Sequence, residues 1–198
     1  MTTSGLDQLL ANVPSSQPLT VADLGCGGGD MLKLMAHWAR KRGRPVQFTG
    51  IDANGWIVDY ARQNTADYPE ITYRQLDIFS PEFRELRFDV VTGTLFCHHF
   101  TDEQLLETFS GLRQQTRLGV VINDLHRHPL AYHSISLLTR WFSKSYLVRN
   151  DARLSVLRSF RRNELLDLFR RAGWENSRLT WNWAFRWQAV LRTEPANH

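Results

Sequence analysis

The sequence predicts an α/β fold, a doubly wound sheet of seven mostly parallel strands with an antiparallel C-terminal hairpin strand, in a single domain over residues 1–198. Three observations predict it. Short apolar runs of strand length alternate with segments of helical apolar spacing, the order of a parallel sheet covered on both faces. The first of these runs stops abruptly in a glycine-rich turn, Gly25-Cys26-Gly27-Gly28-Gly29. Residues 174–192 alternate through Leu179, Trp181, Trp183, Phe185 and Trp187 with no helix between their two halves, the pattern of two paired strands.

Taken in order, residues 1–18 form a short helical extension carried by Leu6, Leu9, Leu10 and Val13 and broken by Pro14 and Pro18. A first strand follows at 19–24. Asp30 is placed to cap the next helix, in which Met31, Leu32, Leu34, Met35 and Trp38 recur at helical spacing. Lys41, Arg42 and Gly43 give that helix a basic last turn and a stop. Strand two is predicted at 46–51, a helix from Asn54 through Ile57, Val58 and Ala61, strand three at 71–76 and strand four at 88–92. Thr101-Asp102-Glu103-Gln104 opens a helix over 101–115 with a capping-box pattern. Strand five, 118–123, is apolar through its middle. An insert at 125–160 then interrupts the alternation before a helix at 163–172, closed by Gly173. The layering is Rossmann-like.

Composition excludes several classes of protein. Hydrophobic residues make up 42% and charged residues 22% of 198, which suits a globular domain and not a disordered one. Two cysteines, Cys26 and Cys97, fit a reduced cytoplasmic setting better than a disulfide framework. No apolar run is long enough to span a membrane, and the N-terminus lacks the basic-then-apolar order of a secretory signal. The net charge is +4, but its arginines are dispersed rather than interleaved with aromatic residues. A mildly basic surface is therefore expected, and nucleic acid is not the expected partner. Nothing in the sequence indicates an oligomeric state.

The glycine turn carries the functional signal. Glycine allows a ligand to approach the backbone closely, and the following helix presents free N–H groups and a positive dipole end to an anionic group. The dinucleotide pattern Gly-x-Gly-x-x-Gly is met at Gly25 and Gly27, but its third place falls on Asp30. A second acid, Asp52, ends strand two 23 positions beyond Gly29, close to the roughly 20 expected of a ribose-binding carboxylate. It and Asn54 also suit a helix cap.

Asp23-Leu24-Gly25-Cys26-Gly27-Gly28-Gly29 resembles the first motif of the class I S-adenosylmethionine-dependent methyltransferases, (D/E)-x-G-x-G-x-G. The resemblance runs from about Leu19 to Leu191. It implies donor contacts from Asp23, Gly25, Cys26, Gly27, Gly29 and Asp30, from Asp52 and Ala53, and from Asp77 and Ile78, where an acid after strand three is the adenine reader. Phe88-Asp89-Val90-Val91 and the turn Gly93-Thr94-Leu95-Phe96-Cys97-His98-His99 resemble the family's fourth segment, which places Gly93 to His99, with Thr94 and the two histidines, beside the methyl donor. The (N/D/S)-P-P-(Y/F) run of amino-group methyltransferases acting on DNA or glutamine is absent from this place. An oxygen of a phenolic or polyketide-like small molecule is the expected acceptor, with a ring carbon of a quinone-like or polyketide compound, or a non-catalytic donor-binding module, as alternatives.

Methyl transfer needs alignment more than activation, because the donor is already a sulfonium. A base helps where the nucleophile must lose a proton, and a phenol with a pKa of about 10 is such a nucleophile. Five of the seven histidines lie beyond strands four and five, at His98, His99, His126, His128 and His133. Strand alternation puts Asp124 and His126 on one side, an acid able to orient a base. His126 is therefore the first candidate, with His98 and His99 next. An ion pair between Asp124 and Arg127 is the structural alternative. The histidine spacing matches no trusted zinc signature, and no metal is expected. The insert carries Ile135, Leu138, Trp141 and Phe142 on one helical face. Its position resembles the family's substrate lid, with Tyr132, His133, Trp141, Phe142 and Arg149 as the expected acceptor contacts.

Overall fold

The computed structural model describes residues 1–131, 154 and 156–193. In chain order its elements are α1 (Thr2–Leu9), β1 (Leu19–Leu24), α2 (Asp30–Lys41), β2 (Val46–Asp52), α3 (Gly55–Asn64), β3 (Ile71–Gln75), α4 (Pro81–Glu85) and β4 (Phe88–Thr94). A 3-10 turn (Cys97–His99), α5 (Asp102–Gln115), β5 (Thr116–Leu125), α6 (Arg162–Arg171), β6 (Ser177–Asn182) and β7 (Arg186–Arg192) follow. The strands form one sheet in the order β3-β2-β1-β4-β5-β7-β6. The first five are parallel. β7 runs antiparallel to β5, from Gly119↔Arg192 to Leu125↔Arg186, and β6 antiparallel to β7.

Strand periodicity divides the core into two layers. Along β1, Leu19 and Val21 point to one face while Ala22 and Leu24 point to the other. The first face packs on Leu6 and Leu9 of α1 and Leu32 and Met35 of α2. The second packs on Phe109 and Leu112 of α5 and Leu165 and Phe169 of α6, whose two phenyl rings meet edge to face at 5.1 Å. Of the hairpin tryptophans, Trp187 is buried in this second layer, while Trp181 and Trp183 are exposed.

Two local expectations change. Gly29, with φ +82°, is the N-cap of α2, so Asp30 is its first helical residue and caps nothing. The left-handed turn needs glycine's freedom one position earlier than an Asp cap would have it. α4 and the 3-10 turn also go beyond the predicted elements, being too short to show a period. Residues 132–153, most of the expected insert, lie outside the described residues, and with them Tyr132, His133, Trp141, Phe142 and Arg149. Among the described residues no helix is long and apolar enough to cross a membrane.

The order of the sheet places the site. β2 lies on one side of β1 and β4 on the other. Their connections therefore diverge, leaving a crevice beyond the carboxyl ends of β1 and β4, the topological switch point where open α/β sheets bind ligands.

Candidate active site

The glycine turn enters this crevice from β1. Gly25 and Cys26 donate their N–H groups to the Ile51 carbonyl, at 2.9 and 3.3 Å, which ties the turn to β2. Gly25 has φ +61°, and a Cβ there would run into the Phe96 ring. Gly27, at φ +50°, has open space where its Cβ would be. The turn thus touches a side chain of the β4 loop at one glycine and leaves room for a ligand at the next.

Asp52 closes β2 and accepts from both sides. Its Oδ2 accepts from the Gly27 N–H at 3.2 Å and its Oδ1 from the Asn54 N–H at 3.0 Å. Asn54 in turn caps α3, accepting from Trp56 and Ile57. Asp77, beyond β3, accepts from the Phe79 N–H at 2.9 Å. A cavity of about 290 Å³ joins these groups, lined by Gly25, Ile51, Asp52, Ala53, Leu76, Asp77, Ile78, Leu95, Phe96, His99 and Phe100. Two carboxylates, an apolar floor and an imidazole therefore share one crevice.

The other expected donor contacts sit differently. Asp23 is buried beneath the turn, where its Oδ1 accepts from the Thr92 hydroxyl at 2.7 Å. Burial pushes its carboxyl up to about 7, against the lowering effect of that hydrogen bond. Cys26 is buried too, and burial, followed by the charges of Asp23 and Asp52, pushes its thiol up to about 12. Asp30 faces solvent, paired with Lys33 at 3.1 Å, and hydrogen bonds from Lys33 and Asn64 hold its carboxyl below the usual range. Gly29 packs against Tyr73 and Thr65. The Thr94 hydroxyl lies 3.2 Å from that of Thr2 in α1. None of these residues lines the cavity.

The histidines are arranged otherwise than strand alternation implies. Asp124 is buried, and its Oδ1 accepts from His98 Nδ1 at 2.8 Å, not from His126. The reason is local. After Leu125 the chain leaves the pleat of β5, and His126 bridges to Phe160 while its N–H donates to the Phe185 carbonyl at 2.8 Å. His126 instead accepts from Trp181 Nε1 at 3.2 Å and packs on Trp187, ring centroids 4.7 Å apart. Partial burial, then the neighbouring His128, lowers its pKa below the ordinary imidazole value. The expected ion pair of Arg127 with Asp124 is also not formed, since Arg127 pairs with Glu164. His99, exposed on the cavity wall, lies against the buried His98 at 4.2 Å between ring centroids.

Leu95, Phe96 and Phe100 complete the cavity; the first two lie in the segment expected beside the donor, and Phe100 just beyond it. Phe96 and Phe100 contact at 4.8 Å between centroids. Leu95 has φ +56°, a conformation a leucine gives no hint of.

A family profile described as a methyltransferase domain matches residues 21–119, half of the chain. The non-reducing polyketide synthase atr1 of Stereocaulon alpinum is 24% identical over 144 residues, 69% of this chain but 6% of the synthase. The chain thus spans a small part of that curated relative. Among solved structures, the CurJ carbon methyltransferase superposes with a TM-score of 0.71 at 17% identity, covering 98% of this chain and 54% of that one. The plantazolicin methyltransferase BpumL, in complex with a monoazolic desmethylPZN analog and SAH, superposes at 0.72 and 16% identity, covering 98% and 82%.

Proposed function

The chain belongs to the methyltransferase domain family, and on that premise we propose that it moves the methyl group of S-adenosylmethionine to a small phenolic or polyketide-like acceptor. The observation that carries this is the cavity at the switch point, where Gly25, Asp52, Ala53, Asp77 and Ile78 meet Phe96 and His99. The donor set fits the cosubstrate. Asp52 has lone pairs beyond the two bonds it accepts and takes the ribose hydroxyls. Asp77 takes the adenine amino group, with Ile78 against the ring. The open face of Gly27 admits the methionine part. The cosubstrate supplies a methyl on a cationic sulfur, so the carbon–sulfur pair of electrons leaves with sulfur as the new bond forms.

What this chain adds is alignment, exclusion of water and removal of a proton. Phe96 and Phe100 give the cavity apolar surface. His99 stands on the wall and takes the acceptor proton. A phenol near pKa 10 gains from an imidazole at neutral pH. The receiving atom is an oxygen in the first reading. A carbon is the second, favoured by the likeness in fold to a carbon methyltransferase, because the same deprotonation turns a phenol or β-keto group into an anion nucleophilic at both oxygen and carbon. BpumL, whose structure holds a small-molecule analog and SAH, supports the small-molecule class.

Calorimetric titration tests the donor. S-adenosylhomocysteine is expected to bind and NADH not. Asp52→Ala should weaken binding by at least about tenfold, the loss of one or more charge-assisted hydrogen bonds. A wild-type protein that ignores S-adenosylhomocysteine overturns the proposal. With a carbon-13 methyl donor and a panel of phenols and polyketide acids, NMR of the product separates an O-methyl from a C-methyl group.

A further inference from the structure

We propose that Asp124 is a positioning residue that clamps the outer wall of the donor cavity, holding the turn of residues 95–99 in a strained course so that Phe96 and His99 face the donor. Its carboxylate is buried and takes four donors. Oδ2 accepts from the N–H groups of Phe96 at 3.1 Å and Cys97 at 2.7 Å. Oδ1 accepts from His98 Nδ1 at 2.8 Å and from the Leu125 N–H at 2.7 Å. Immediately upstream, the Leu95 N–H donates to the Asn123 carbonyl at 2.8 Å. Three successive backbone amides are thus drawn onto the end of β5, the first onto a carbonyl and the next two onto the carboxylate, where oriented N–H groups converge on an anion.

The turn pays a conformational cost to reach this state. Leu95 adopts φ +56°, a left-handed region that side chains with a Cβ avoid. Such a conformation persists only where the surroundings over-determine it, and the Asp124 bonds on both following amides do so. The consequence reaches the cavity through Phe96. Its ring lies so close over Gly25 that a Cβ there would overlap it, and with Leu95 and His99 it forms one wall. A carboxylate that acted only to orient an imidazole would need the His98 bond and not the two amide bonds.

The donor-binding half of the test rests on the function proposed above; the stability half does not. Measured well below its melting temperature, Asp124→Asn is expected to bind S-adenosylhomocysteine about tenfold or more weakly, a change that general destabilisation does not produce in a fully folded sample. Leu95→Gly relieves the left-handed strain only while the clamp enforces it. Its effect on Tm should therefore be more favourable in the wild type than in Asp124→Asn by at least about 2 °C. Equal Tm shifts in the two backgrounds, or unchanged affinity in Asp124→Asn, overturn the clamp. If the wild type itself fails to bind S-adenosylhomocysteine, the function proposal falls and the Tm cycle still decides the clamp. Should Asp124→Asn not fold, hydrogen exchange of the wild-type Phe96 and Cys97 amides decides it: protection at the level of strand amides is expected, and exchange at the rate of an open loop overturns it.

Discussion

At Asp23 the fold keeps a carboxyl group 2% exposed under the glycine turn, with the Thr92 hydroxyl bonded to it. Its pKa rises from 3.8 to about 7 because burial disfavours the charge more than the hydrogen bond favours it. The effect on stability has a definite sign. Below about pH 4 the group is neutral in both folded and unfolded chains, and nothing is lost. Between about 4 and 7 the unfolded chain ionises while the folded one stays protonated, so stability falls as pH rises. Above 7 the loss is complete, on the order of 4 kcal/mol at about 1.4 kcal/mol per unit. His126, an imidazole whose pKa is lowered, acts in the opposite direction, losing stability as pH falls. Comparison with Asp23→Asn cancels that term. The wild-type Tm should fall more steeply from pH 5 to pH 8 than that of Asp23→Asn. Parallel curves would show that this carboxyl ionises as freely in the fold as in water.

Elements differ in how far they can be read without a structure. The helix from Asp102 has both halves of its capping box in place: Thr101 Oγ1 accepts from the Gln104 N–H and Gln104 Oε1 from the Thr101 N–H. Both bonds are local, so the four-residue pattern sufficed to locate them. Thr101→Ala should cost about 1 kcal/mol and lower Tm by about 2–4 °C; an unchanged Tm would mean that water replaces the cap without loss. Strand β1 was legible for a similar reason, since its apolar run and the glycine stop are contiguous. So was the antiparallel hairpin, from alternation alone. The partner of Asp124 was not legible. Alternation along β5 extends correctly to Asp124, but His126 lies beyond the strand, bridged to Phe160, and His98 arrives on a 3-10 turn from another strand. Sequence spacing carries no information on such a meeting. The carboxylates of the cavity, Asp52 and Asp77, were legible because strand ends fix where they emerge. The segment that holds Leu95 and Phe96 was placed there for the same reason, but not the Phe96 ring over Gly25 or the left-handed backbone at Leu95, because an apolar side chain against a glycine turn looks in sequence like any other core residue.

Across the whole molecule, one sheet serves two helical layers, and each layer is incomplete without it. α1 belongs to this unit although it precedes the first strand. Gly5 approaches β5 so closely that a Cβ would meet Val121 at 2.5 Å, and Leu6 beside it is fully buried. Asn123 of β5 donates to Thr2 Oγ1 at 2.7 Å, so the helix also holds the strand that carries Asp124. Leu6→Ala removes side-chain volume from the layer containing Leu32, Met35 and Phe48, and should cost about 2–5 kcal/mol. Because Val120 and Ile122 of the same strand pack into the opposite layer with Phe109 and Phe169, that loss should reach both layers. The denaturation midpoint is therefore expected to fall equally by far-UV circular dichroism and by tryptophan fluorescence, which samples Trp38 in one layer and Trp174 in the other, with an unchanged slope. Separated midpoints would show that α1 and its layer unfold apart from the rest, and that the sheet does not couple the N-terminal helix to the strand end that positions the site.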